Sequence, residues 1–428
     1  MAHHAPPIED ADLAASGPAT IGPKGGRNAL VFIFITVTID TIAMGITAPV
    51  LPTLIERLSG GVQQAAWMNG LFMTVFALMQ FLFSPILGAL SDRFGRRPIL
   101  LLSIAGLGLS YVGMAMSTSI WQLLLVRFIT GATSANIATA FAYIADVTPP
   151  NRRAGAYGLM QAAMSLGFAL GPGLGGVLGQ FDPTFPFWAA AVLSLVNAAY
   201  GYFVVPESLA KDRRAPIDVK KLGSFGAMSV LTRKPDLLRF ASILALTQFA
   251  TMVFPTVFVL YASHRYGWSI ATVSLCLTGF GVCSAVVQAG LSGRIVRAWG
   301  ERRVIVLGLL CGVTGTAVFG LAPTGLIFSI GIPIMTLSGM AGPAIQSLMT
   351  RQVDQSEQGR LQGANTSLQA IAGIIAPLLF GGVYAVAVVG WNGIKAPGAP
   401  FILASLILVF GAVLAQGAVR LSRSRVTS

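Results

Sequence analysis

Charge is scarce in this chain. Asp, Glu, Lys and Arg make up 10% of its 428 residues while 54% are hydrophobic, and a soluble domain carries roughly a quarter charged residues. No aqueous fold has a core large enough for that much apolar surface, so a soluble globular protein is excluded. Cysteine is nearly absent too. Cys276, Cys283 and Cys311 all fall in apolar runs, where they read as small embedded hydrophobes and not as disulfides or zinc ligands. No Gly-x-x-x-x-Gly-Lys-Ser/Thr loop is present, which excludes a nucleotide-driven pump of that kind. No catalytic residue, metal ligand or cofactor motif is assigned, and no enzymatic role.

What the chain has instead is long apolar sequence. A bilayer span needs ~20 apolar residues, and charge-free runs of that order recur at 62–90, 154–181, 240–263, 266–293 and 396–419. The stretch 304–350 is too long for one span and splits at Ala322-Pro323-Thr324-Gly325; 98–145 splits near Ser117-Thr118-Ser119. The expected fold is an all-α integral membrane protein with twelve spans, in two pseudo-symmetric six-helix bundles. The first apolar run is full length and carries its own acid, so it reads as a span and not as a cleavable signal.

The net charge of +13 invites a nucleic-acid reading, but its placement opposes it. Walking the loops alternately puts 24 of the 28 Lys and Arg residues on one side, with Arg57, Arg265 and Lys395 on the other and Arg127 inside a span. Such a bias assigns the basic side, with both termini, to the cytoplasm. Residues 1–27, with Pro, Gly, Glu9, Asp10 and Asp12, read as a disordered tail; His3 and His4 carry no role.

The chain also repeats itself at an offset of 205 residues. Gly88 maps onto Gly293, Gly95 onto Gly300, Gly158 onto Gly363, Pro172 onto Pro377 and Gly176 onto Gly381. The halves are then 28–206 and 238–421, joined by a charged linker, 207–237, with a short tail at 422–428. Duplicated six-helix halves place a substrate site between them near mid-bilayer.

Three elements carry mechanism. Gly88-Ala-Leu-Ser-Asp92-Arg93-Phe-Gly95-Arg96-Arg97-Pro98 joins the second and third spans. Its glycines allow a tight turn, and Asp92 can accept from a helix N-terminus or pair with an arginine. The positive-inside rule explains the arginines but not the glycine–aspartate frame. In the fifth span, Gly167, Gly171, Pro172, Gly175 and Gly176 give small residues for close packing and a proline kink. Asp40 and Arg127 are the two ionisable residues deep in spans. Asp40 lies 13 residues past Arg27, about 20 Å at the helical rise. Intramembrane charges mark ion or substrate pathways, and desolvation makes a carboxylate a better proton acceptor, so Asp40 is the proton-carrier candidate. The bland alternative is a static partner of Arg127 or of unwound backbone. Arg127 reads as a structural charge near the cytoplasmic half of its span, or as a participant in proton release.

These motifs resemble those of the major facilitator superfamily. There the Gly88–Pro98 loop corresponds to a cytoplasmic gate latch, and the glycine–proline element of the fifth span is similar to one found in antiporters. The repeat copy keeps Gly293 and Gly300 but has Arg297 where the first half has Asp92, so Asp92 is read as the working latch. From about Asn28 to Arg420 the chain resembles the tetracycline/proton antiporters, including Arg127-Phe-Ile-Thr-Gly131, Gln80 and Gln358-Gly-Arg-Leu-Gln-Gly363. The resemblance implies a proton-coupled exporter of a small amphipathic or aromatic molecule, with a proton-coupled importer of the same fold as the alternative. Ser110, Cys283 and Gly312 stand where that family places polar helpers, which weakens the assignment of tetracycline itself.

Candidate substrate-binding residues are Asp40, Gln80, Asn136, Phe141, Gln161, Gln248 and Gln346, with Phe72, Phe76, Phe83, Tyr143, Phe249, Phe254 and Phe258 supplying apolar area. A lone intramembrane amide is as often a helix–helix hydrogen bond. The expected partners are a small-molecule substrate, protons and the lipid bilayer of the cytoplasmic membrane, with the chain acting as a monomer. Reporter fusions placed after Ser428 and in the loop at His264–Trp268 should report opposite sides of the membrane; a shared side contradicts the topology.

Overall fold

The computed structural model describes residues 23–149, 152–210, 212, 214, 231, 235–354, 357–390 and 395–424. These residues are helical throughout, with no strand among them. The first six spans comprise α1 (Pro23–Thr47) and α2 (Leu51–Ser59), α3 (Val62–Phe94), α4 (Arg96–Ala115), α5 (Ile120–Thr133) and α6 (Asn136–Val147), α7 (Arg153–Gly179), and α8 (Phe185–Val204). The remainder comprises α9 (Pro235–Thr251) and α10 (Val253–Tyr266), α11 (Ile270–Val286) and α12 (Ser292–Trp299), α13 (Glu301–Leu321), α14 (Gly325–Leu337) and α15 (Ala341–Thr350), α16 (Gln358–Val389), and α17 (Ala399–Ser424). α1 begins at Pro23, inside the expected tail; residues 1–22 and most of 207–237 lie outside the described residues.

Among the described residues eleven helices are long and apolar enough to cross a membrane. α11 is shorter, at 17 residues, but runs on through the π-turn Val287–Leu291 into α12. Several spans are broken partway, and the breaks obey the repeat. The α5–α6 break at Ser134–Ala135 matches the 3-10 turn Ser338–Met340 between α14 and α15, and the α1–α2 break matches that between α9 and α10. Gly95 and Gly300 both take positive φ, +111° and +79°, a conformation that favours glycine at a sharp helix-to-helix turn. Pro172 and Pro377 both lie inside their helices, α7 and α16. Broken helices are tolerated at membrane depth only where neighbours satisfy the freed backbone. Here the Ala135 N–H is shared between the Thr133 carbonyl at 3.0 Å and the Ser103 hydroxyl at 3.4 Å.

The outer surface is apolar. Phe203, Leu326, Trp121 and Leu109 are all well exposed, a pattern suited to lipid and not to water. Inside, backbone meets backbone. A Cβ on Gly175 would lie 2.0 Å from the Ile46 carbonyl oxygen, and one on Gly171 would lie 2.6 Å from Gly45, so the small residues of α7 are what let α1 approach. Gly176 faces Ser274 on α11, and its repeat mate Gly381 faces Ala66 on α3. The same device is used twice.

Among the described residues, the close glycine approaches between the two halves lie toward one end. At the end with few basic residues, Gly70 abuts the Pro377 carbonyl, Asn69 donates to the Thr256 carbonyl at 2.6 Å, and Thr74 donates to the Ile374 carbonyl at 2.7 Å. At the basic end, a Cβ on Gly88, Gly155, Gly158, Gly290 or Gly293 would meet no atom within 4 Å, and α12 buries no residue. The molecule is closed at its sparsely charged end and splayed at its basic end. Gly175→Ala should destabilise the protein by about 1–3 kcal/mol through overpacking, whereas Gly158→Ala should be near neutral; thermal unfolding of the purified protein in detergent checks both.

Candidate functional site

A carboxylate in hydrocarbon needs a polar partner, and the break in the fourth span provides one. Asp40 on α1 is 4% exposed, and the Asn136 amide donates to its Oδ2. Its Oδ1 has no partner among the described residues. Asn136 is the first residue of α6, so the positive end of that helix lies beside the acid, a favourable arrangement for negative charge. Gln80 on α3 donates to the Ser134 hydroxyl at 3.3 Å, on the other side of the same break. Asp40, Asn136, Ser134 and Gln80 thus gather around two non-helical residues. α7 fixes the register of α1 here: Gly167 lies against Thr41, whose hydroxyl donates to the Val37 carbonyl at 2.8 Å.

Arg127 is placed differently from expectation. It makes no ion pair with Asp40; its guanidinium lies over the rings of Phe76, 3.9 Å from the centroid, and Phe72, 4.6 Å away. Such a cation–π sandwich stabilises a charge without neutralising it, and its Nε has no hydrogen-bond partner among the described residues. α5 enters at the sparsely charged end, and Arg127 is about 10 Å along it at the helical rise. It therefore sits in the half away from the basic loops, whereas the sequence reading placed it near the half that carries them. Tyr111 on α4, fully buried, lies within electrostatic reach of both Asp40 and Arg127.

The other candidates scatter. Phe141 packs edge-on to Tyr157, 5.4 Å between centroids, while Gln161 is exposed on α7. Gln248 and Gln346 are half-buried, and the side chains of all three glutamines make no hydrogen bond among the described residues. Phe254 and Phe258 stack on each other at 4.6 Å inside a packed aromatic cluster with Phe280, Phe319 and Phe328. They belong to the core and not to a cavity wall. The physical reason is the closed end, which presses α10 against its neighbours.

The Gly88–Pro98 loop is the centre of a charge network. Asp92 pairs with Arg96 at 2.5 Å, and Arg96 reaches Asp146 on α6 at 3.1 Å and the Ser91 hydroxyl at 3.3 Å. Glu207 accepts from the backbone N–H groups of Arg96 and Arg97 at 2.8 and 3.3 Å, capping α4. Arg97 donates to the Tyr202 carbonyl and lies over the Tyr202 ring; Arg93 lies over Phe94. Gly88 lies in open space beside this network, and Gly95 approaches Glu207 so closely that a Cβ would overlap its carboxylate. Sequence reasoning missed Asp146, Glu207, Ser134 and Ser103. Neither serine carries a signal of its own in the sequence, and the two acids read as ordinary loop charges.

Comparison with known proteins agrees with this geometry. The sequence profile of the Major Facilitator Superfamily matches residues 33–377. The chain is 35% identical over 395 residues to the tetracycline resistance protein, class C, of Escherichia coli, covering 92% of this chain and 98% of that protein. It is 27% identical to multidrug resistance protein 2 of Bacillus subtilis, covering 83% and 88%. Among solved structures it resembles the human organic anion transporter MFSD10 (TETRAN) with a TM-score of 0.69 at 23% identity, covering 92% and 100%, and the nucleoside transporter NupG with 0.74 at 12%, covering 91% and 99%. These likenesses carry the fold. The chain belongs to the Major Facilitator Superfamily.

Proposed function

We propose that this multi-pass membrane protein is a proton-coupled exporter of small amphipathic or aromatic compounds, working by alternating access. The observation that carries the proposal is Asp40, an acid buried at mid-span and held by Asn136 at a helix break, in a molecule closed at one end only. On this reading α11 with α12 is the twelfth span, residues 28–206 and 238–421 are the two halves, 207–237 is the cytoplasmic linker, and both termini are cytoplasmic. The splayed basic end then faces the cytoplasm, where substrate and proton exchange: Asp40 releases its proton inward and substrate enters between the halves. The chain needs no oligomeric partner for this cycle.

The relatives' names, tetracycline resistance and multidrug resistance, support drug-like substrates. The departures argue against a magnesium–tetracycline cation. Ser110 is buried and spends its hydroxyl on the Gly106 carbonyl at 2.7 Å. A Cβ at Gly312 would already sit 3.1 Å from Leu408 and 3.3 Å from Ser338, leaving no room for an acid. Arg127, the embedded cation, is covered by phenylalanine rings, which disfavours polyanionic substrates.

Three outcomes test the proposal. Asp40→Asn keeps size and hydrogen bonding but cannot titrate; gradient-driven export in vesicles should fall to background while substrate Kd stays within about twofold. Unchanged active export removes Asp40 from coupling. Asp92→Asn breaks a half-exposed charge contact and should slow transport about two- to fivefold, again with little change in Kd; collapsed affinity with normal turnover would place Asp92 in the binding site. In a host lacking its own pumps, expression should raise tolerance to planar amphipathic compounds more than to tetracycline, and strong magnesium-dependent tetracycline transport would overturn that ranking.

A further inference from the structure

The closed end contains one contact of a different kind from the rest. His264, in the last turn of α10, places Nε2 2.6 Å from Oε1 of Glu56, in the last turn of α2. The two residues are 208 positions apart and belong to different halves of the repeat. The carboxylate only accepts, so the imidazole N–H is the donor. The pair is partly open to the aqueous side, with side-chain exposures of 37% for His264 and 26% for Glu56.

Every other inter-half contact described at this end is indifferent to pH. Glycines meet backbone, and Asn69 and Thr74 donate to carbonyls. The charged and titratable surroundings of the pair are few. Beside Glu56 on α2 stands Arg57, which acts on Asp182 in the turn after α7. Beside His264 on α10 stands Arg265, lying over the rings of Tyr261 and Tyr266 and donating to the Gly320 carbonyl at 3.4 Å. α16 contributes Tyr384, within electrostatic reach of Glu56 and Arg265. The loop before α17 carries the exposed Lys395, while α3 and α5 offer only the amides Gln63, Gln64 and Gln122 at this end. None of these is a second carboxylate within bonding distance of His264, so protonation of the imidazole acts through Glu56.

We infer that His264 and Glu56 form an external proton-reading latch, in which protonation of His264 from the aqueous side opposite the basic loops adds an ion pair to the hydrogen bond already made to the Glu56 carboxylate and so holds this end shut. Histidine is the side chain whose charge changes in the ordinary physiological range, and an imidazolium adds a coulombic attraction to the carboxylate that the neutral ring lacks. By linkage, acid outside favours the closed arrangement and alkali outside releases it. The α10 C-terminus adds to this, since its negative end favours an imidazolium. The inference rests on the proposed proton-driven cycle for its purpose: the proton pool that loads Asp40 would also favour closing the door through which the proton came. His264 is a positioning residue in that cycle and touches no substrate.

The test isolates this latch from Asp40. In an Asp40→Asn, cysteine-free background, spin labels at exposed positions 63 and 323 report the separation of the halves at this end in lipid nanodiscs. Lowering the pH from about 8 to about 5.5 should raise the closed-to-open ratio about two- to fivefold, as expected for one partly exposed ion pair. His264→Gln and Glu56→Gln should each abolish that response, with no further loss in the double variant. His264→Lys should keep the end closed at both pH values. A pH response that survives His264→Gln, or that is normal in His264→Lys, overturns the latch. If the latch responds as described but wild-type export ignores the proton gradient, the functional reading fails and the latch stands. If export is gradient-driven and the response does not depend on His264, only the latch fails.

Discussion

The hydrogen bond from Asn136 to Asp40 is the interaction around which this protein is organised. A carboxylate in the middle of a bilayer is costly unless polar groups or water surround it, and the chain meets that cost by breaking a helix. Ser134 and Ala135 leave the helical path, the Thr133 carbonyl and Ser103 hydroxyl share the Ala135 N–H, and α6 restarts with its positive end and an amide beside the acid. One oxygen of Asp40 is left without a protein partner among the described residues. In the proposed cycle that oxygen is where the proton would arrive. A fully satisfied carboxylate would be a structural ion; a half-satisfied one is suited to exchange.

The second constraint is steric. Carriers of this architecture have to close two ends in turn, and the closed end here is built from glycines whose absent Cβ atoms let backbones touch: Gly70 and Gly381 between α3 and α16, Gly176 between α7 and α11. The internal repeat explains why the contacts come in matched pairs. Two copies of one packing surface, related by the 205-residue offset, make a symmetric hinge. At the basic end the corresponding glycines stand free, and the charges of the gate loop are satisfied within one half by Asp146 and Glu207. The loop is a paired charge network and not a frayed end.

Much of this was legible in the sequence because a bilayer leaves few choices. Every backbone group has to be satisfied inside a span, so apolar runs were enough to give an all-helical membrane fold, although among the described residues eleven helices, against the expected twelve, are long and apolar enough to span. Asp40, Asn136 and Gln80 were found individually for the same reason: polar residues in hydrocarbon stand out. What brought them together was the break at Ser134–Ala135, and a serine after a threonine carries no comparable signal. Asp146 and Glu207 were missed because an acid near a helix end looks the same whether it serves a network or faces water. Phe254 and Phe258 were misjudged because periodicity does not separate a cavity wall from a packed core. Arg127 was read toward the half of its span nearer the basic loops, whereas α5 starts at Ile120 at the sparsely charged end and puts it in the other half.

The central claim is that Asp40 binds and releases a proton within the working cycle. Infrared difference spectroscopy of the reconstituted protein, comparing acid and alkaline pH with and without a transported substrate, reads that event directly. The account predicts a carboxylic acid carbonyl band that appears on acidification, shifts or vanishes when substrate binds, and is missing in Asp40→Asn. A band that persists in Asp40→Asn, or its absence from the wild-type protein at every pH that supports transport, would contradict it.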